Sequence, residues 1–184
     1  MKNIPNYLTY LRIILIPIVI GFLFIDAAWA AWTSLAFYTI ASITDFLDGY
    51  LARKWEVESA VGKFLDPISD KIFIASLLVA LVGFDRADGI WMIPVIIILM
   101  REFFVSGMRE FLGPMNIQLP VSKLAKWKTT IQMIALGFLV MGNYGDTVLP
   151  YTLEIGQVGL TIAAILTVIT GWDYLKAGFS HFPK

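Results

Sequence analysis

Apolar residues gather along the chain into six blocks separated by short polar or turn-forming breaks. The blocks begin near Tyr7, Ala30, Phe64, Gly89, Lys123 and Leu149. Each runs about 20 residues or slightly more, the length a helix needs to cross the hydrocarbon of a bilayer. The breaks carry helix-ending signals: DAAWA at 26–30, RKWEVESAVGK at 53–63, FDRADG at 84–89, GPMNIQLP at 113–120 and GNYGDTVLP at 142–150. No block shows the strict alternation of a half-buried strand, and open-edged sheet is not tolerated in lipid. The pattern predicts an all-α fold, a polytopic membrane bundle of six transmembrane helices forming one integral-membrane domain over 1–184.

Composition strengthens that reading. The 184 residues are 58% hydrophobic and the mean hydropathy is +0.76, more than a soluble core requires. Residues 13–25 are followed by no small-residue cleavage site leading into a soluble sequence, so the first block is expected to remain as an anchor. The loops are too short to hold a further domain, and no internal repeat is visible. With no cysteine, neither a disulfide framework nor thiolate metal ligation is available. The single histidine, His181, reads as a solvated residue of the SHFPK tail.

The formal net charge of zero hides a strong asymmetry. Six spans put both termini and the loops after the second and fourth blocks on one side. Thirteen of the 14 basic residues fall there, and only Arg86 falls on the other. The 14 acids divide nine and five, so the two halves carry +4 and −4. The positive-inside rule makes the basic face, with both termini, cytoplasmic. Such a surplus suits anionic headgroups and phosphorylated substrates, although topology alone explains most of it.

Against this background the stretch TDFLDGYLARKWEVESAVGKFLDPISDK, 44–71, places four aspartates in two apolar segments. Read as helix, Asp45, Asp48, Gly49, Ala52 and Arg53 fall at i, i+3, i+4, i+7 and i+8 and form one stripe. Gly49 and Ala52 give that stripe a small-residue floor on which a ligand can approach backbone. Asp66 and Asp70 lie one turn apart on the third block. Four carboxylates facing one another in a partly desolvated pocket cannot all stay ionised without compensation. Two divalent cations supply it, and all-oxygen ligation favours a hard ion, Mg²⁺ or Mn²⁺. A two-metal carboxylate site suits phosphoryl chemistry, and Arg53 adds a fixed positive charge for a diphosphate.

Singly, each acid has a plainer explanation. Asp66 before Pro67 resembles a helix N-cap, Asp45 with Arg53 an intramembrane ion pair, and Asp70 with Lys71 an interfacial pair. Jointly they fit D-x2-D-G-x2-A-R-x8-G-x3-D-x3-D at Asp45, Asp48, Gly49, Ala52, Arg53, Gly62, Asp66 and Asp70. Its chance occurrence per start site is on the order of 10⁻¹⁰ at typical residue usage.

By this motif the chain resembles the CDP-alcohol phosphatidyltransferase family, with no fixed position departing from the signature. NIPNYLTYLRIILIP at 3–17, REFFVSGMRE at 101–110 and KLAKWKTTIQM at 123–133 are similar in kind and order to the bacterial branch whose acceptor is sn-glycerol 3-phosphate. From Ala135 onward the resemblance rests on hydropathy only. It implies a six-helix enzyme of the bacterial inner membrane, often a homodimer, with its active site facing the cytoplasm. That enzyme transfers the phosphatidyl group of CDP-diacylglycerol to the acceptor, releasing CMP and forming phosphatidylglycerophosphate. Carried over by motif position, Asp45, Asp48, Asp66 and Asp70 are metal ligands, and Asp70 is also the general base. Gly49, Arg53 and Ser59 contact the CDP-diacylglycerol headgroup, with Asn6 and Thr9 as nucleotide neighbours. The reaction expected is a single in-line displacement without a covalent enzyme intermediate.

A dianionic acceptor calls for several cations. Arg101 and Arg109 near the end of the fourth block and Lys123, Lys126 and Lys128 at the start of the fifth are the candidates. Lys123, Lys126 and Thr130 share one helical face. The resemblance ranks Arg109, Lys126 and Lys128 first. Lysines at a cytoplasmic helix end are also what topology and snorkelling predict. Glu102 and Glu110 are expected to orient the arginines.

Other features read as scaffold. Trp29, Trp32, Trp91 and Trp172 suit interfacial anchors, and the Met and Phe residues suit packing. Gly137 with Gly142, and Gly107 with Ser106, permit close helix contact but lack the spacing that names a dimer face. Two readings outside the transferase class compete. A cation or proton transporter needs acids near the bilayer midplane in duplicated halves, whereas these crowd one end; a membrane scaffold gives no reason for the acids. Within the family, phosphatidylserine, phosphatidylinositol phosphate or cardiolipin synthesis is the alternative to the glycerol 3-phosphate acceptor.

Overall fold

Buried apolar residues on every helix decide how the helices meet, and small residues decide how closely. The computed structural model describes residues 4–55, 60–113 and 123–179; within them, the side chains of 4–6, 45–55, 60–64, 66–67, 123, 173–174 and 176–179 lie outside the description. Among the described residues there are six α-helices: α1 Ile4–Leu23, α2 Ala28–Trp55, α3 Ala60–Gly83, α4 Met92–Leu112, α5 Lys123–Met141 and α6 Thr152–Phe179. A 3-10 turn at Gly89–Trp91 leads into α4, and another at Gly142–Thr147 follows α5. Among the described residues there is no strand. Each helix starts within about one turn of the position its hydrophobic block predicts.

α1 lies along α2 and α3, α6 lies along α5 and α4, and α2 against α5 joins the two groups. The core follows from these contacts: Ile16 and Val19 of α1, Tyr38 of α2, Phe73 and Leu77 of α3, Ile98 of α4, Leu136 and Leu139 of α5, and Leu160 of α6 are all buried in it. Two buried hydroxyls on α2 find backbone partners on neighbouring helices. The Ser34 hydroxyl donates to the Val19 carbonyl at 2.9 Å, tying α2 to α1. The Tyr38 hydroxyl donates to the Met133 carbonyl at 2.7 Å, tying α2 to α5, while its ring stacks on Phe73 at a centroid distance of 5.7 Å.

The α5–α6 seam depends on residues without bulk. A Cβ at Gly156 would stand 2.9 Å from Leu139 Cγ and 3.0 Å from the Leu139 backbone nitrogen, and one at Gly159 would stand 3.0 Å from the Ala135 Cβ. The sequence points to Gly137 and Gly142 instead. Gly137 does sit against Tyr38, and Gly142 has a φ of +58° beside Arg86, but Gly107 faces open space. Overpacking such a seam costs roughly 1–3 kcal/mol, and each kcal/mol is worth about 2–4 °C in a chain of this size. Gly156→Val is therefore expected to lower the melting temperature in detergent by several degrees. An unchanged transition would contradict the close contact.

Arg86, the lone base among the residues read as facing outward, has a structural task. Its guanidinium donates to the Leu139 carbonyl at 3.0 Å and to the Val140 carbonyl, two acceptors left over where α5 ends. Burial pulls its pKa below the usual arginine value, and Tyr144 and Asp26 oppose that pull. Beside it, the Tyr144 hydroxyl donates to Asp26 Oδ1 at 2.6 Å.

Among the described residues two helical stretches, Gly89–Leu112 and Thr152–Trp172, are long and apolar enough to cross a membrane. A shorter apolar run covers Tyr7–Leu23. Helices α2, α3 and α5 carry acids or lysines at one end, and that charge dilutes their hydropathy.

Candidate active site

The buried face of α1 runs through Thr9, Arg12, Ile16, Val19 and Leu23, the i, i+3, i+4 rhythm of an amphipathic helix. Arg12 occupies a position where the rest of the stripe is mainly apolar and is fully buried. A buried guanidinium requires anionic or hydrogen-bonding partners. It finds them on α3, donating to Asp70 Oδ1 and, at 3.3 Å, to Ser69 Oγ. The Asp70 side chain is still 48% exposed while Arg12 is at 0%. One carboxylate thus has a protected charge partner behind it and open space in front.

That space is a cavity of about 440 Å³ walled by α1, α3, α4 and α5. Among the described residues five cationic side chains line it, Arg12, Lys71, Arg101, Arg109 and Lys128, against two acids, Asp70 and Glu102. Among the described residues the cations of this wall outnumber the acids, a setting that suits a multiply charged anion. Lys128 is only 3% exposed, and its ammonium donates to Glu102 Oε1. Arg101 NH1 donates to the same oxygen at 3.0 Å. Glu102 therefore holds two cations at the cavity wall, matching the orienting role the sequence suggests for it. The Arg101 stem is seated against Gly171, where a Cβ would come within 3.4 Å of its Cγ.

Asp70, Arg101, Arg109 and Lys128 are thus brought together around one cavity. Lys126 is not in its lining; it is exposed, as is Thr130, whose hydroxyl donates to the Lys126 carbonyl at 3.2 Å. Lys126 and Lys128 are two residues apart, roughly 200° around a helix, so the face of α5 that carries Ala125, Lys128, Thr129 and Gln132 turns inward instead. Glu110 is exposed. Thr9 is 3% exposed on the same stripe of α1 as Arg12.

The backbone of α2 runs helically through Asp45, Asp48, Gly49 and Arg53, and that of α3 through Asp66 and Asp70, so the registers assumed for the motif hold on both helices. Because α3 already begins at Ala60, Asp66 is interior to it and the N-cap reading falls away. The side chains of Asn6, Asp45, Asp48, Arg53, Asp66 and Lys123, the surroundings of Gly49, and Ser59 and His181 altogether, lie outside the described residues. As a donor set the four aspartates fit a hard divalent cation. Residues 44–71 contain neither histidine nor cysteine, and the one described carboxylate, that of Asp70, is half exposed to the cavity.

Sequence reasoning missed Arg12 and Gln132 as site residues. Arg12 counts there only toward topology. The signal was present, since an ionisable residue on the buried stripe of an otherwise apolar helix marks a functional site by default.

The profile of the CDP-alcohol phosphatidyltransferases matches residues 2–170. A Rickettsia typhi protein named CDP-diacylglycerol--glycerol-3-phosphate 3-phosphatidyltransferase is 44% identical over 182 residues, covering 99% of this chain and 100% of its own. Proteins of the same name from Cereibacter sphaeroides and Bacillus subtilis are 39% and 36% identical, covering 97% and 96% of this chain and 96% and 95% of theirs. With the signature intact and the match running nearly end to end, the chain belongs to the CDP-alcohol phosphatidyltransferase family.

Proposed function

We propose that this protein transfers the phosphatidyl group of CDP-diacylglycerol to sn-glycerol 3-phosphate, giving phosphatidylglycerophosphate and CMP. The observation that carries the reading is the cavity in which a half-exposed Asp70 shares walls with Arg101, Arg109 and Lys128. The names of the full-length relatives give the acceptor its identity.

In this reading Arg101, Arg109 and Lys128 hold the acceptor's phosphate, with Lys123 and Lys126 further out as steering charges. Gly49, Arg53 and Ser59 take the CDP-diacylglycerol headgroup, and Asn6 and Thr9 border its nucleotide. The Asp70 carboxylate, half exposed at the cavity, accepts the proton of the acceptor hydroxyl, while Arg12 holds its Oδ1. The hydroxyl oxygen bonds to the diacylglycerol-linked phosphorus as the bond to CMP breaks, in one in-line step. Two divalent cations, Mg²⁺ or Mn²⁺, held by Asp45, Asp48, Asp66 and Asp70, would neutralise charge on the diphosphate and the departing CMP.

All six helices cross the bacterial inner membrane in this account, with termini and cavity toward the cytoplasm, in a single domain that pairs as a homodimer. Bulky apolar residues face outward on every helix, among them Ile14, Ile43, Val79, Ile96, Ile134 and Ile165, far more than a water-soluble surface carries. Six alternating spans would put thirteen of the 14 basic residues on one side, which supports this orientation.

The test is CMP release by purified protein given CDP-diacylglycerol and Mg²⁺, with glycerol 3-phosphate, serine or inositol phosphate offered in turn. Release with glycerol 3-phosphate alone is expected. Release only with serine or inositol phosphate would reassign the acceptor, and no release with any of them would remove the transferase reading.

A further inference from the structure

Gln132 lies one turn beyond Lys128 on the inward face of α5, and both line the cavity. It is 3% exposed, and its Oε1 is buried with no hydrogen-bond partner. A buried amide oxygen left unpaired is costly, so the arrangement calls for a donor that arrives with a ligand. Among the described acceptors on this wall, Glu102 receives Lys128 and Arg101, and Asp70 receives Arg12. The Thr129 hydroxyl is turned to the Ala125 carbonyl at 3.1 Å. Rotation about the terminal torsion of a glutamine is broad and cheap, so Oε1 can turn from just behind the wall to face the cavity.

We infer that Gln132 reads a second hydroxyl on the acceptor, making the pocket selective for phosphorylated vicinal diols over alkyl phosphates with one hydroxyl. The inference rests on the acceptor reading proposed above. Lys128 and Gln132 are about 6 Å apart along the helix axis, comparable to a three-carbon chain. An acceptor whose phosphate sits on Lys128 and whose terminal hydroxyl points to Asp70 therefore carries its middle carbon past Gln132. The cations of the pocket cannot perform this task, because they have donors to offer and no lone pair to receive a hydroxyl proton. A site built to accept from a hydroxyl rejects the analogue that lacks it, since the protein oxygen is then left unpaired.

The experiment compares sn-glycerol 3-phosphate with 3-hydroxypropyl phosphate, which keeps the phosphate and the attacking hydroxyl and lacks the middle one. kcat/KM for CMP release is measured with both in each preparation, and acceptor binding is followed by calorimetry. The wild type is expected to prefer glycerol 3-phosphate by roughly 10- to 100-fold. Gln132→Met keeps the volume without the acceptor and should lose most of that preference by slowing on glycerol 3-phosphate alone. Gln132→Glu keeps an acceptor oxygen and should retain it. The ratio within one preparation is independent of how much protein is folded. A ratio unchanged in Gln132→Met, or an equal fall on both acceptors, would overturn the inference while leaving the transferase reading intact. Absence of CMP with both acceptors in the wild type would instead sink the acceptor reading, and this inference with it.

Discussion

Asp70→Asn is expected to slow CMP release by roughly 10²- to 10⁴-fold, the range general-base catalysis supplies, with metal-dependent binding of CDP-diacylglycerol largely retained. Asparagine preserves the shape of the side chain and an oxygen to receive the Arg12 guanidinium, which donates to Asp70 Oδ1 in the native protein. What it loses is the basicity of the carboxylate, which is half exposed at the cavity where the acceptor hydroxyl must give up its proton. Equilibrium binding of the donor and single-turnover release of CMP separate the two effects. A variant that turns over within a few-fold of the wild type would reject Asp70 as the base.

The second large effect is expected at Lys128. Its side chain is 3% exposed, and its ammonium is held against Glu102 at the cavity wall. Lys128→Met keeps the stem and removes the charge, and Arg101 still neutralises Glu102, so the wall is retained. A hydrogen bond between charged groups contributes about 1.5–3 kcal/mol, which predicts an acceptor KM higher by roughly 10- to 100-fold and a donor KM little changed. Lys126→Ala, at an exposed position outside the cavity lining, should alter either constant by no more than about twofold. The reverse ranking would mean that the acceptor phosphate sits outside the cavity.

The helices were legible because burial and hydropathy here share one cause. Blocks of apolar sequence become helices, and the breaks between them are rich in Gly, Pro and Asp. The registers of Asp45 with Asp48 and of Asp66 with Asp70 were legible for the same reason, since spacing alone fixes a face. The face of α5 was harder to read. Lysine at a helix end satisfies topology whether it points in or out, so Lys126 and Lys128 look alike in sequence and differ only once α5 is packed against α6 and α2. Arg12 was hidden by a similar ambiguity, because its counterion lies on α3 and no local pattern pairs residues 12 and 70. The glycines that matter most, Gly156 and Gly159, stand in the part of the chain where only hydropathy guided the reading.

Manganese binding reaches the core of the account most directly. Mn²⁺ titrated into purified protein and followed by electron paramagnetic resonance should lose its free signal to two sites per chain. Asp45→Asn combined with Asp66→Asn should abolish that uptake, while Glu154→Gln at the other end of the molecule leaves it unchanged. Equal uptake in the wild type and the double variant, or none in either, would mean that the aspartates of α2 and α3 do not share cations, and the proposed chemistry would have no centre.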